Sequence, residues 1–351
     1  MKFICRTIVF SITIFLASSL SAEAGKVVLT VVGDIMLAGN ASATLSRQGY
    51  DYPFAATAEI LRGSDIAVGN LEAPIARKGL EFTGKKYRFK ADPKAAAAIR
   101  KAGFTVLTLA NNHIMDFGAQ GLAETRQHLK KELLLYTGAG RNLAEARLPA
   151  LIEKNGRKIA FLAYSLTHPA EFYAGPAKPG AAPGYPHLFR EDIKKAKAHA
   201  DYVVVSFHWG AECATSPKSY QVSVARMAVD AGADVVVGHH PHVLQGIERY
   251  KGRLILYSLG NYAFCSMSRN AETSVIARIV LDRGVREVEL FPLNVKNTEV
   301  RFQPALLKGA RGKKVISHLQ ELSDQWDTKI VSEGLRYFIK TPARSIATAL
   351  R

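Results

Sequence analysis

Residues able to bind metal or move protons recur where apolar runs end. Asp34 follows "VVG", Asn70 and Glu72 follow and overlap "IAVG", and Asn111, Asn112, His113 and Asp116 follow "LTLA". His208 and Glu212 come after "VVVSF", His239, His240 and His242 after "VVVG", and Asn261 after "LYSLG". Three of the chain's ten histidines thus sit within four positions, 239 to 242. Imidazole is useful mainly where a proton or a metal is handled. Imidazole, amide oxygen and carboxylate together suit Mn, Fe or Zn better than a cation that takes oxygen alone. In an extended segment, His240 and His242 would project to one side. Two adjacent divalent ions held by such a set would acidify a water and clamp both oxygens of a phosphoester in transit. A nucleotide phosphatase is the poorer version of this chemistry, because no adenine-recognition module is legible.

The apolar runs that carry these groups lie at 26–33, 65–70, 104–110, 158–164, 201–207, 234–238 and 253–259. Near-continuous rather than alternating apolar character predicts strands covered on both faces. Between them, Asp92-Pro93 and Ser216-Pro217 open helical stretches that Gly103 and Gly232 close. Strand–helix alternation predicts a layered α/β domain over 25–300, with ligands outside the carboxyl ends of the strands at one sheet edge. Residues 272–294 read as a hairpin turning at Asp282-Arg283-Gly284, and 301–351 as a helical C-terminal extension whose clearest element is "KKVISHLQELSDQW". The Pro-, Gly- and aromatic-rich stretch 168–189 reads as a long loop, either a wall of the site or a disordered insertion.

The first 24 residues have the layout of a secretory signal peptide: a short basic start, an apolar stretch, and Ala22-x-Ala24 as cleavage site. The apolar stretch is shorter than the ~20 residues of a spanning helix, which favours cleavage over an uncleaved anchor. The expectation is a periplasmic or extracellular protein, membrane-associated if the anchor stays. With 47 Lys and Arg against 30 Asp and Glu, net charge is +17. That balance fits an anionic polymer, a phosphate-bearing glycan or a membrane surface. Nucleic acid is not an expected partner, since no binding motif is present. Cys213 and Cys265 lie just past strand ends beside His208 and Asn261, so a disulfide bracing the site is one reading and two free thiols the other.

"GDIMLAG", "GNLEAPI", "ANNHIMDFG", "SFHWGAE", "GHHPHVLQG" and "YSLGNY", in that order, resemble the capsule-synthesis (CapA/PgsA-type) poly-gamma-glutamate family over residues 27 to 294. That family is related to the calcineurin-like metallophosphoesterases. The resemblance implies an α-β-β-α sandwich, two divalent metal ions, a role in making or exporting poly-gamma-glutamate or a similar polymer, and work beside a membrane synthase or export components. It also implies roles: Asp34, Glu72, Asn112, His208, His240 and His242 as metal ligands, with His113 aiding the leaving group beside Asn112. Asn70, Asn111, Asp116, His239 and Asn261 would orient ligands or face substrate. Glu212 stays open among ligand, substrate contact and salt-bridge partner. One departure stands out: the superfamily's first motif is Asp-x-His, and here Met36 replaces the imidazole. Two functions follow, a metal-dependent hydrolase acting on an envelope polymer or its phosphorylated carrier, and a non-catalytic accessory that binds the polymer or a synthase.

Overall fold

The computed structural model describes residues 25–340 apart from 267 and 269, so the expected signal peptide lies outside the described residues. The chain begins with β1 (Val27–Met36), α1 (Ser42–Gln48), α2 (Ala58–Arg62), β2 (Ile66–Leu71), α3 (Lys94–Ala102), β3 (Val106–Thr108), α4 (Gly118–Lys131) and β4 (Leu135–Thr137). Next come β5 (Ala139–Gly140), α5 (Leu143–Ala146), β6 (Ala150–Lys154), β7 (Arg157–Ser165), β8 (Gly180–Ala181), α6 (Pro186–Lys197), β9 (Tyr202–His208), α7 (Ser219–Ala231) and β10 (Val235–His239). It continues through β11 (Leu244–Tyr250), β12 (Arg253–Leu259), β13 (Asn261–Phe264), β14 (Thr273–Leu281), β15 (Val285–Asn294), α8 (Asn297–Val300) and β16 (Ala305–Leu306). The last elements are α9 (Gly309–Ser323), β17 (Ile330–Glu333) and β18 (Arg336–Lys340).

These strands build two large sheets rather than one. The first runs β17-β18-β15-β14-β1-β2-β3-β4, with β13 added beside β1 and β16 beside β15; the second runs β11-β12-β10-β9-β7-β6. The inner faces meet in an apolar core that includes Leu29, Val31, Val204, Val235 and Leu256. Helices cover the outside: α3 and α4 bury Ile99 and Leu122 against the first sheet, and α6 and α7 bury Ile193 and Ala228 against the second. This is the α-β-β-α layering that the family resemblance implies. The central strands of both sheets are covered on both faces, which is why strands of either read alike in sequence.

Local signals hold at the helix ends. The Asp92 carboxylate accepts the Lys94 amide at 2.8 Å to start α3, and Gly103 closes it in the left-handed region at φ +113°. The second opening sits slightly later than Ser216-Pro217: α7 starts at Ser219, where the Gln221 side chain accepts the Lys218 amide at 2.9 Å. The 272–294 hairpin forms as β14 and β15, paired antiparallel.

Two expectations need correction, and of the two readings of the cysteines one is found. The segment after 300 is not simply a helical extension. It does form α9, whose Val315, Ile316 and Leu319 enter the inter-sheet core, but β17 and β18 extend the first sheet by pairing on β15. Val331 and Leu335 are exposed there, so the alternation that marks a one-sided strand is weak. The 168–189 stretch is ordered rather than structureless: β8 pairs with β5, and Pro186 begins α6 with proline in its first turn. Cys213 and Cys265 are free thiols. The Cys213 sulfur faces the Ser268 hydroxyl at 3.6 Å, while Cys265 packs against the apolar cluster outside the first sheet, where burial raises its thiol pKa.

Candidate metal centre

The two sheets bring their carboxyl edges together, so the site is a junction of two edges and not the rim of one sheet. Parallel register puts Asp34 of β1 beside Asn70 of β2 and Asn261 of β13. In the second sheet it puts His239 of β10 beside His208 of β9. Two glycines make the approach possible. A Cβ on Gly33 would lie 1.9 Å from the Gly260 carbonyl oxygen, and one on Gly238 would lie 1.9 Å from that of Tyr257. Just after β10 the chain turns through His240 and His242 at φ +93° and +59°. Positive φ is costly for a histidine and concentrates at functional sites.

The side chains converge. Asp34 is fully buried; one carboxylate oxygen accepts from Asn70 Nδ2 at 2.9 Å and lies 3.0 Å from His239 Nδ1. Its other oxygen accepts the His240 amide at 3.1 Å and lies 3.1 Å from His242 Nδ1. Glu72 is equally buried, with Oε1 3.4 Å from His208 Nε2 and 3.8 Å from His242 Nε2. His208 Nε2 is also 2.9 Å from the Asn112 side-chain oxygen. Asn111 donates to the Asn70 oxygen and the Leu71 carbonyl and accepts the His113 and Ile114 amides, so it braces the loop. Asn261 Oδ1 sits 2.9 Å from His242 Nδ1 and orients that ring. Trp209 is packing: it is fully buried and donates to the Tyr257 carbonyl at 3.0 Å.

Two sets of ligand atoms, each within 4.8 Å of one another, share one carboxylate: Asp34, Glu72 and His242, and Glu72, His208 and His240. A third combines Glu212, His240 and His242. Within this site, Glu72 Oε1, His240 Nδ1 and Asn261 Nδ2 are buried without a hydrogen-bond partner among the described residues. Orphaned polar atoms are expensive in a folded protein, and two of these, Glu72 Oε1 and His240 Nδ1, can offer lone pairs to an ion. The donor set fits divalent cations.

Electrostatics agree. Burial raises the Glu72 carboxyl well above the usual range, and the neighbouring Asp34 charge adds to it. Burial works the same way on Asp34, but hydrogen bonds from His239 and His242 outweigh it and hold that carboxyl well below normal. Burial drives His240 down to about 3, aided by His242, and puts His208 well below the usual value, aided by His240. Both imidazoles are therefore neutral, the form that binds metal. His242 runs the other way: burial opposes its charge, but Glu72 and Asp34 push it up to about 9. In the metal-free site that imidazolium balances the buried carboxylates.

A model of the family described as bacterial capsule synthesis protein PGA_cap matches residues 28–266. The chain belongs to this PGA_cap family. The capsule biosynthesis protein CapA of Bacillus anthracis is 36% identical over 282 residues, covering 78% of this chain and 69% of that protein. The PGA biosynthesis protein CapA of Bacillus subtilis (strain 168) is 36% identical over 267 residues, 75% of this chain and 70% of its own. Among solved structures, the NAD nucleotidase of Haemophilus influenzae overlaps with a TM-score of 0.45 at 12% identity, over 85% of this chain and 63% of that one.

Beside the ligand sets of this PGA_cap chain lies a hydrogen-bonded cluster in the loop that leads into α4. His113 Nδ1 is 2.7 Å from Asp116, which also accepts the Phe89 amide at 2.8 Å. Nδ1 is taken by these contacts, so Nε2 is the nitrogen left for a ligand. Burial lowers the His113 pKa, and Asp116 partly offsets that. The sequence pattern gave no hint of Lys85. Its ammonium bonds the Asn112 carbonyl, lies 2.8 Å from Asp116 Oδ1, and stands 3.0 Å from His113 Nδ1. It belongs to the irregular segment 77–90, where "GKKYRFK" reads as a solvated basic run. Lys85→Met removes the cation that fixes Asp116 and the Asn112 backbone. We expect turnover to fall about 10–100-fold with little change in KM, checked by steady-state kinetics on a phosphoester.

Proposed function

We propose that this chain is an exported, metal-dependent, hydrolase-like protein of capsule or poly-gamma-glutamate synthesis, acting on an anionic envelope polymer or its phosphorylated carrier. The observation that carries this reading is the pair of ligand sets sharing Glu72, with orphaned carboxylate and imidazole atoms between them. Asp34, Glu72, Asn112, His208, His240 and His242 would hold divalent cations of the Mn, Fe or Zn type. Bound there, such cations supply Lewis acidity and an acidified water. The chain's own residues do the rest. Asp116 and Lys85 hold His113 so that Nε2 exchanges a proton with the leaving group. The surplus of basic residues draws a polyanion toward the site. Cleavage after Ala24 would place the protein outside the cytoplasm, beside a membrane synthase or export components.

A second reading has its own support. Met36, where the superfamily has a metal-binding imidazole, is 2% exposed within the apolar core. A site short of one donor fits an accessory that binds polymer and turns nothing over. The two readings separate in one experiment. Protein loaded in turn with Mn²⁺, Fe²⁺ and Zn²⁺ is assayed on nitrophenyl phosphomonoester, phosphodiester and polyglutamate, next to His240→Ala. The hydrolase reading expects metal-dependent turnover that drops ~10²–10³-fold in His240→Ala while the metal-free fold melts normally. Polymer bound without turnover under every metal supports the accessory.

A further inference from the structure

Glu212 has no assigned partner and sits where one is needed. Its side chain is exposed, yet one carboxylate oxygen and one nitrogen each of His240 and His242 all lie within 4.8 Å of one another. No hydrogen bond or ion pair of this carboxylate occurs among the described residues, although the chain carries 47 Lys and Arg. That removes the salt-bridge reading. Nor is the position accidental, because the loop that carries Glu212 is pinned on both sides. Gly210 donates to the Tyr220 hydroxyl at 2.6 Å, and Cys213 donates to the Pro241 carbonyl, inside the His240–His242 turn, at 2.8 Å. Cys213 holds φ +61°, a conformation maintained only where the surroundings impose it. His240 Nδ1 is buried and unpartnered close by.

The centre lacks a donor at Met36, which faces the core and cannot turn outward without opening a cavity there. We propose that Glu212 is a metal ligand: its carboxylate joins His240 and His242 on the solvent side of the site and supplies the donor that Met36 does not. Ligands that each lie ~2.0–2.2 Å from a common ion are at most ~4.4 Å apart, so atoms within 4.8 Å of one another need only a small side-chain movement to share one. An exposed carboxylate also has more room to shift when a substrate oxygen arrives than the buried Asp34 and Glu72.

The inference rests on the metal reading of the site, and its test separates the two. Wild type, Glu212→Gln and Glu212→Asp are titrated with Mn²⁺ by calorimetry and with Co²⁺ by visible absorption, after melting curves of the metal-free proteins. Because Glu212 is exposed, the melting curves should coincide. Glu212→Gln should weaken one cation by at least ~10-fold and change the Co²⁺ spectrum, with partial recovery in Glu212→Asp. Unchanged affinity, or weaker affinity with an unchanged Co²⁺ spectrum, overturns the inference and leaves the metal centre standing. A wild type that takes up neither ion overturns both.

Discussion

Glu72→Gln is expected to lower metal-dependent turnover by ~10³-fold or more while making the metal-free protein more stable. Both effects come from one carboxylate. Glu72 alone belongs to both of the buried ligand sets, so a neutral amide there weakens two cations at once. Without metal the same carboxylate is a liability: fully buried, with Oε1 unpartnered and Asp34 nearby. Its folded-state pKa is raised by burial and by Asp34. For an acid, a raised pKa means the ionised form is penalised in the fold. Wild-type stability is therefore lost as pH rises from the ordinary carboxylate range through the folded value, and Glu72→Gln escapes that loss. Relief of about 1–3 kcal/mol at neutral pH is the size expected for an unpaired buried polar group. Differential scanning calorimetry with and without Mn²⁺ checks it. The variant should melt higher than wild type in chelator and lower in saturating Mn²⁺. A variant less stable than wild type in both conditions would mean that Glu72 is structural.

Metal affinity should rise steeply with pH, with protons released on binding. His242, ordinarily near 6.5, is held at about 9 in the metal-free site, chiefly by Glu72 and Asp34 acting against its burial. A raised imidazole pKa stabilises the metal-free fold below the ordinary value, and that contribution disappears as pH climbs through 9. A cation must displace this proton, so apparent affinity should rise about ten-fold per pH unit for each proton displaced between pH 6.5 and 9, then level off. His208 and His240 contribute nothing in that window, because both are already neutral. Calorimetry in buffers of different ionisation enthalpy measures the released protons directly. Affinity flat from pH 6.5 to 9 would show that His242 is not a ligand.

Much of this arrangement was legible beforehand because a residue of the site follows a glycine at the end of an apolar run four times: Gly33-Asp34, Gly69-Asn70, Gly238-His239 and Gly260-Asn261. Gly33 and Gly238 permit close backbone contact and the polar residues follow directly, so strand ends and site residues share one signal. All seven predicted strands form. Sheet membership was not legible, since burial on both faces makes β1 and β9 equally apolar, and two edges rather than one make the site. β17 and β18 escaped notice because their pairing depends on β15, some forty residues earlier, while half their side chains face solvent. Lys85 and Lys86 are neighbours of identical type, yet one bonds Asp116 beside the ligand sets and the other lies over the exposed Tyr87 ring. Only tertiary structure tells them apart. Reading Cys213 and Cys265 as a pair required a distance that no sequence contains.

Anomalous scattering from crystals soaked in Mn²⁺ would locate the cations without reference to turnover. Two peaks should appear, one bounded by Asp34, Glu72 and His242 and the other by Glu72, His208 and His240, each with ligand atoms within ~2.5 Å. Saturating Mn²⁺ that leaves both positions empty, with Glu72 and the histidines bonded only to one another, would contradict the account at its centre.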